Sequence, residues 1–215
     1  MSPNANARPD RTTLLPTEDF RHSDIGNPLI TGTVHVFVDG FDVTAGGVDI
    51  WGVRDEFNFV YIERKGDFDF IARIERLDAP NLYTKAGLMA REDLTESSRH
   101  VYFQVFSNND PRNQNNGGYE YQYRQEEEGE MRAVYPARSE GVPEFPVAFP
   151  DVWIRLQRIN DEFVGYCSTD GRCWKEYARQ SFPFPEKLYF GMAVTSHEAK
   201  KIVTAKFRNI AELKN

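Results

Sequence analysis

The dominant pattern along this chain is a strict alternation of apolar and polar positions in short runs. In residues 101–107, for example, Val101, Phe103 and Val105 occupy every second position. Because side chains of a strand point alternately to its two faces, this period indicates antiparallel strands with one buried face. The same alternation recurs in residues 56–61, 68–75, 118–125, 151–158, 187–196 and 204–210.

Turn signals separate these runs, which is typical of an all-β chain. Evenly spaced short strands without heptads predict a sandwich or a barrel. Residues 82–91 fit either a strand or a helix, and residues 93–98 fit a single helical turn. The turn signals are Asp39-Gly40, Gly46-Gly47, Lys65-Gly66-Asp67, Asn116-Gly117-Gly118 and Thr169-Asp170-Gly171.

The length of the chain fits a single folded domain with an N-terminal extension. At 215 residues, the chain is within the size of one large β-sandwich, which we place at residues 20–215. Residues 1–19 are rich in Asn, Pro, Arg and Thr and are predicted to form a flexible or loosely strapped arm. Residues 135–150 contain four prolines and are predicted to form a long surface loop.

Composition narrows the classes of partner. The net charge is -7, and an acidic surface argues against nucleic acid or an anionic membrane as a partner. No apolar run approaches the roughly 18 residues of a membrane span. The N-terminal residues show no signal-peptide pattern. The sequence therefore predicts a soluble cytoplasmic protein, with a secreted form trimmed of its leader as the alternative.

Both cysteines lie in one short stretch, Gly165–Trp174. A three-residue turn at Thr169-Asp170-Gly171 would set Cys167 opposite Cys173, a spacing that allows a disulfide without requiring one. Two cysteines at this spacing supply at most half of a zinc site. The run Ser168-Thr169-Asp170-Gly171 also resembles the Asp-box turn of sugar-active β-proteins. The stretch is thus predicted to be a structural hairpin.

Five motifs occur in a characteristic order along the chain. They are Asp49-Ile50-Trp51-Gly52, Asp55-Glu56-Phe57-Asn58-Phe59, Lys85-Ala86-Gly87-Leu88-Met89-Ala90-Arg91, Trp153-Ile154-Arg155-Leu156 and Gly191-Met192-Ala193-Val194-Thr195-Ser196-His197. Together they resemble the concanavalin A-like lectin/glucanase superfamily over about residues 25–210. More closely, they resemble its poorly characterised group that includes the regulation-of-enolase protein. The resemblance implies a jelly-roll β-sandwich of two antiparallel sheets, whose concave face often binds glycans.

Alternation also identifies a candidate binding face. If the apolar positions point inward, their polar neighbours point outward and gather on neighbouring strands. Such a groove suits hydroxyl-rich or carboxylate-bearing ligands, because planar donors bind oxygens and aromatic rings stack on sugars. The alternative is an ordinary solvated face. The predicted ligand-binding residues are Lys85, Arg91, Tyr102, Gln104, Gln122, Arg124 and His197.

The residue patterns give little support for catalysis or for a cofactor. The Glu-x-Asp-x-x-Glu pattern of jelly-roll glucanases is absent, which leaves Glu75 and Glu120 as unpaired candidate carboxylates. The four histidines lack metal-binding spacing. Oxygen-rich loops offer candidate ligands for a structural calcium ion, with ordinary loops without metal as the alternative. These ligands are Asp24, Asp39, Asp42 and Asn209.

Three functional hypotheses follow. The first is a non-catalytic module that binds a carbohydrate or a related polyol in a concave polar groove. The second is a cytoplasmic interaction protein whose partner is another protein, such as a metabolic enzyme. The third is a carbohydrate-active enzyme with a carboxylate pair that the sequence does not identify.

Overall fold

The computed structural model describes residues 11–78, 80–107, 118–134 and 146–214. These residues form a sandwich of two antiparallel sheets, which confirms the predicted all-β jelly roll. Within the described ranges, one 3-10 turn at Thr17–Asp19 is the only helical element. Residues 82–91 contain a strand, whereas the helical turn expected at residues 93–98 is wrong, since that segment is a series of bends and turns.

The strands are numbered in chain order. The first nine are β1 (Arg11–Leu14), β2 (Arg21–Ile25), β3 (Thr33–Phe37), β4 (Gly40–Ala45), β5 (Ile50–Trp51), β6 (Arg54–Asp55), β7 (Phe57–Lys65), β8 (Phe68–Leu77) and β9 (Lys85–Arg91). The others are β10 (His100–Phe106), β11 (Tyr119–Arg124), β12 (Arg132–Val134), β13 (Val152–Ile159), β14 (Glu162–Ser168), β15 (Lys175–Ser181), β16 (Lys187–Thr195) and β17 (Val203–Lys214).

Two large sheets and one small hairpin contain all of these strands. The seven-stranded sheet has the order β12-β11-β10-β9-β16-β7-β2. The eight-stranded sheet has the order β15-β14-β13-β8-β17-β4-β3, with β1 paired to the end of β17. Strands β5 and β6 pair only with each other. Because half of the strand pairs join strands that are not consecutive, the sheets hold together parts of the chain that alternation alone cannot connect.

The main hydrophobic core lies between the two sheets. Alternate residues of β8, including Phe68 and Phe70, meet alternate residues of β16, including Phe190. The rings of Phe70 and Phe190 stack with centroids 4.1 Å apart. Buried tyrosines complete their hydrogen bonds to backbone oxygens; the Tyr121 hydroxyl, for example, donates to the Phe163 carbonyl. The alternating runs thus mark the core, as the sequence predicted.

A second apolar cluster covers the outer face of the seven-stranded sheet. Phe57 and Phe59 share one face of β7, as predicted, but that face is turned away from the main core. They pack there with Met89 and Tyr102, beneath Ile50 of the small hairpin. Apolar residues cover both faces of β7. Alternation therefore showed that Phe57 and Phe59 share a face, but it could not show whether that face points into the main core.

The segment of residues 46–56, which contains the β5–β6 hairpin, crosses this outer face. Its backbone bonds to surrounding loops: Asp55 N donates to Glu96 O at 2.8 Å, and Met131 N donates to Gly52 O at 3.1 Å. Gly47 begins the crossing at φ +106, where a Cβ would lie 2.0 Å from the Glu56 carbonyl oxygen. Only glycine tolerates this combination.

The cysteine stretch is a hairpin, but with a longer turn than predicted. Cys167 opposes Lys175, not Cys173, and neither thiol is in a disulfide. The Asp-box turn holds the bend: Asp170 accepts hydrogen bonds from the backbone N–H groups of Arg172 and Cys173, each at 2.8 Å. Hydrogen bonds from these backbone groups lower the pKa of Asp170 to about 2.

Two further predictions concern the N-terminal arm and the long loop. Residues 11–19 are strapped to the eight-stranded sheet, because Arg11–Leu14 pairs with β17 and Leu15 N donates to Ile210 O at 3.0 Å. Residues 1–10 lie outside the described residues, as does most of the loop predicted at 135–150. No helix among the described residues has the length and hydropathy needed to span a bilayer.

The candidate calcium ligands do not form a site in the part of the chain that the structure describes. Asp24 accepts hydrogen bonds from Gly32 N and Asn58, and Asp42 is paired with Arg208 at 2.6 Å. No group of three or more His, Cys, Asp or Glu side chains in the described ranges is arranged to hold a metal ion.

Candidate functional site

Strand register brings the predicted polar residues onto the outer face of the seven-stranded sheet. His100 of β10 faces Arg91 of β9 on one side and Arg124 of β11 on the other. Further along the same strands, Gln104 faces Glu120. Six of the predicted residues therefore share one face, and His197 lies two residues after the end of β16. This face is divided into two parts, which differ in what covers them.

The first part, the closed cluster, consists of Asp55, Arg91, His100 and Arg124. All four side chains are completely buried beneath the hairpin. Arg124 binds Asp55 through two parallel hydrogen bonds, each 2.8 Å long. Its remaining donors reach the carbonyl oxygens of Gly52 and Gly129, each at 3.0 Å. Arg124 therefore connects the sheet, the hairpin and a neighbouring loop.

Arg91 and His100 surround the same carboxylate at longer distances. Arg91 Nη2 lies 3.7 Å and His100 Nδ1 lies 3.6 Å from Asp55 Oδ2. Burial lowers the pKa of Arg91 to about 10, although the charge of Asp55 opposes the shift. Burial also lowers the pKa of His100 to about 3, so its ring is neutral at pH 7. The closed cluster is thus a buried ion pair with a second arginine and a neutral imidazole.

The second part is an open pocket of about 240 Å³ at the other end of the hairpin. It combines two carboxylates, a lysine, an amide, a histidine and three aromatic rings. This pocket, called the open pocket below, is lined by Asp49, Trp51, Tyr83, Lys85, Phe106, Glu120, Gln122 and His197.

Asp49 organises one wall of the open pocket. Its Oδ1 accepts a hydrogen bond from Lys85 Nζ at 2.7 Å, and its Oδ2 lies 3.0 Å from His197 Nε2. Burial alone would raise the pKa of Asp49, but the bond to His197 and the charge of Lys85 outweigh it and lower the pKa to about 2. Asp49 is therefore a fixed anion at neutral pH.

His197 is held in an unusual backbone conformation. Its φ of +59° lies in the left-handed region, which a non-glycine residue adopts at an energetic cost. The next residue anchors it, since Glu198 N donates to Gly47 O at 3.2 Å. The imidazole packs against Tyr83 with ring centroids 5.2 Å apart. The conformation therefore places the ring between Asp49 and the aromatic side of the pocket.

The floor of the open pocket is a row of amides around Glu120. One carboxylate oxygen, Oε1, accepts hydrogen bonds from the amide nitrogens of both Gln104, at 3.2 Å, and Gln122. The amide oxygens of both glutamines are buried, and no described residue donates a hydrogen bond to them. Gln122 lines the pocket, whereas Gln104 is not among its lining residues.

Two aromatic rings form the mouth of the open pocket. The Trp51 and Tyr83 side chains are 42% and 43% exposed, so their rings are accessible at the surface. Lys85 Nζ lies 5.6 Å from the centroid of the Trp51 ring. An accessible ring beside fixed carboxylates and an amide offers both a stacking surface and directed hydrogen bonds.

Two larger cavities in the described part of the chain contain none of the predicted residues. One of about 350 Å³ is bounded by Arg21, Tyr61 and Tyr189 at the far side of the same sheet. Another of about 440 Å³ lies near Asp69 and Arg158 in the eight-stranded sheet. Neither combines exposed aromatic rings with several fixed polar groups, so the open pocket remains the candidate site.

Comparison with known proteins gives matches in structure alone. No family model and no curated protein matches the chain. A functionally unknown protein from Saccharomyces cerevisiae matches with a TM-score of 0.69 and 15% identity, over 94% of this chain and 99% of that one. Carbohydrate binding module CBM66 from Bacillus subtilis matches with a TM-score of 0.53 and 16% identity, over 87% and 94%. A legume lectin-like domain from Entamoeba histolytica matches with a TM-score of 0.56 and 7% identity, over 98% and 100%.

The chain has the concanavalin A-like lectin fold. At these identities the matches show the fold and not the ligand. They confirm the jelly-roll fold that the motif resemblance implied.

Within this lectin fold, the predicted binding residues separate into three groups. Lys85, Gln122 and His197 line the open pocket. Tyr102 and Gln104 are completely buried, and the Tyr102 hydroxyl donates to Ala193 O at 2.9 Å. The expectation that Arg91 and Arg124 line an open groove is corrected, because the hairpin buries both side chains against Asp55.

Other outward-facing residues lie on the opposite side of the lectin fold. Arg155 of β13 binds Asp69 of β8 at 2.5 Å on the outer face of the eight-stranded sheet. Glu75 lies in that sheet, where it pairs with Arg73 at 3.2 Å. It is therefore not placed to act with Glu120 as a carboxylate pair, since the two residues belong to different sheets.

Sequence reasoning missed Asp49, Trp51, Tyr83 and Phe106 as pocket residues. Asp49 and Trp51 belong to the motif that carried the family resemblance, and this was the one signal that marked them. Strand β5 has two residues and is too short to show alternation. Tyr83 lies in a turn before β9, where the two-residue period of a strand does not predict the direction of a side chain.

Proposed function

We propose that this protein is a non-catalytic carbohydrate-binding module and that its binding site is the open pocket. The observation that carries the proposal is the combination of exposed Trp51 and Tyr83 rings with the fixed carboxylate of Asp49 in one pocket. Aromatic faces stack on the C–H surfaces of sugars, and planar polar groups bind their hydroxyls. Carbohydrate binding module CBM66 shares the fold, and so does VIP36, whose structure has Ca²⁺ and Man3GlcNAc bound.

The electrostatics of Asp49 favour binding over glycoside hydrolysis. Glycosidases need a carboxylic acid with a raised pKa that protonates the leaving oxygen, opposite a second carboxylate. Asp49 has its pKa lowered to about 2 and is held by Lys85 and His197, so it is not a proton donor at neutral pH. Glu120 is the other pocket carboxylate, and one of its oxygens accepts from two amides. This arrangement supports a pocket that holds hydroxyl groups.

A glycan panel followed by calorimetric titration tests this proposal. We expect the wild-type protein to bind a subset of glycans, and Trp51→Ala to weaken that binding by about tenfold. Trp174→Ala is the matched control, because Trp174 lies beside Arg155 on the eight-stranded sheet. Absence of wild-type binding, or equal loss in both variants, would contradict the proposal.

The finer resemblance to the regulation-of-enolase group is also a proposal. Its support is the run Asp49-Ile50-Trp51-Gly52, of which Asp49 and Trp51 line the open pocket. Membership adds the hypothesis of a protein partner, such as a metabolic enzyme. Affinity purification from native lysate with wild-type protein is expected to return one such enzyme in stoichiometric amount, and the hypothesis fails without it.

A further inference from the structure

Three polar side chains of the open pocket offer hydrogen-bond acceptors. Asp49 and Glu120 supply carboxylate oxygens, and Gln122 supplies an amide oxygen. The strongest donor, the Lys85 ammonium group, is 3% exposed and is already bound to Asp49 Oδ1 at 2.7 Å and to Ile50 O at 3.1 Å. The ligand that complements such a lining brings donors of its own.

The amide of Gln122 shows most clearly that the ligand must supply a hydrogen-bond donor. Its nitrogen donates to Glu120 Oε1, and the reverse orientation would set two acceptor oxygens against each other. The amide oxygen of Gln122 is therefore an acceptor to which no described residue donates a hydrogen bond. A buried acceptor without a donor is costly, so a donor from the ligand would be favoured. A hydroxyl group meets this need, whereas a carboxylate or sulfate does not.

The charges on the same wall act against an acidic ligand. The positive charge of Lys85 is matched by Asp49, whose second oxygen is taken by His197. An anion entering the pocket would have to displace Asp49 from Lys85 or lie beside its carboxylate. Two like charges about 4 Å apart repel by roughly 1 kcal/mol in water and more in a partly buried site.

The size of the open pocket limits the ligand to a small unit. Its volume of about 240 Å³ is below the roughly 300–1,000 Å³ of pockets that enclose drug-sized ligands. A single sugar ring between Trp51 and Tyr83 fits this space better than an internal stretch of a chain.

We infer that the open pocket selects one uncharged sugar unit, which it holds by accepting hydrogen bonds from hydroxyl groups, and that it rejects sulfated sugars and uronates. This inference rests on the proposed carbohydrate-binding function. It decides between the hydroxyl-rich and the carboxylate-bearing ligands that the sequence left open.

Matched glycans test the selection. The probes are arrayed glycans whose terminal units form neutral and acidic pairs, such as glucose with glucuronate and galactose with galacturonate or galactose sulfate. We expect the neutral member of a bound pair to bind at least about tenfold more tightly, the equivalent of one hydrogen bond gained without charge repulsion. Equal or tighter binding of the acidic member overturns the inference and leaves the proposed function standing. Absence of binding to every glycan overturns both.

A pair of glutamine variants tests the mechanism. Gln122→Met removes the acceptor that lines the pocket, and Gln104→Met removes the same kind of bond to Glu120 from outside it. We expect Gln122→Met to weaken binding of the neutral unit by about tenfold and Gln104→Met to have a clearly smaller effect. Thermal unfolding of both variants shows whether they remain folded. If two folded variants lose binding equally, or if neither loses it, the inference is overturned.

Discussion

Asp49 precedes the β5–β6 hairpin and Asp55 ends it, but the two side chains have different environments. The Asp55 side chain is fully buried and makes two hydrogen bonds to Arg124, whereas the Asp49 side chain is 26% exposed at the edge of a pocket. Both carboxylates face basic side chains, which lie on the seven-stranded sheet or in the loop after β16. The two environments differ in how far the segment of residues 46–56 covers the sheet. This cover is complete over the closed cluster and ends at the open pocket. Charged residues aligned on a sheet therefore identify a binding site only where the covering segment leaves them accessible.

The largest expected effect comes from breaking the closed cluster. Asp55→Asn leaves Arg124 and Arg91 buried without an anion, and loss of one partner of a buried pair costs about 3–5 kcal/mol. We expect the free energy of unfolding, measured by urea denaturation at pH 7, to fall by that amount. A fall of less than about 1 kcal/mol would show that the closed cluster does not hold the hairpin.

The pH dependence of stability tests the state of His100. Its pKa falls from 6.5 to about 3 on folding, so below pH 6.5 the unfolded chain binds a proton that the folded chain does not. Stability is therefore lost as pH falls, by about 2 kcal/mol between pH 7 and pH 5.

Urea denaturation of His100→Asn and wild-type protein at both pH values measures this contribution. We expect the variant to lose about 2 kcal/mol less than the wild type over the interval. His35→Asn is the control for the loss of a histidine, because His35 is exposed on the edge strand β3. A variant at position 100 with the wild-type pH dependence would contradict the neutral, buried imidazole.

A smaller effect is expected at Asp49. Asp49→Asn removes the anion whose pKa is lowered to about 2, but Lys85 keeps the Ile50 carbonyl as a partner. We expect a loss of about 1–2 kcal/mol in the free energy of unfolding, clearly less than for Asp55→Asn. Urea denaturation of the two variants side by side gives the comparison, and equal losses would remove the distinction between the two parts of the face.

The smallest effect on stability is expected at Trp51. Because its ring is accessible, Trp51→Ala is expected to change the free energy of unfolding by about 0.5 kcal/mol or less. The same change should weaken glycan binding by about tenfold, measured by calorimetric titration. A large loss of stability would place Trp51 with the closed cluster and not with the open pocket.

Alternation in the sequence predicted the strands and the shared polar face, because the six predicted residues on that face lie in strands of six residues or more. It could not predict the burial of Arg91 and Arg124. Their partner Asp55 comes from a two-residue strand, and Arg124 lies 69 positions away from it. A period of two does not show which loop crosses a sheet, so the cover and the pocket that it leaves became visible only in three dimensions.

The contact between Arg124 and the carbonyl of Gly52 has a consequence for the kinetics and thermodynamics of recognition. Gly52 directly follows Trp51 in the chain. The hydrogen bond from Arg124 to the Gly52 carbonyl therefore holds the backbone of both residues in place before a ligand binds. A ligand would meet a preorganised surface and would lose little free energy to ordering a loop. Association should then resemble docking onto a rigid body, with rates set by diffusion and orientation and not by a conformational step.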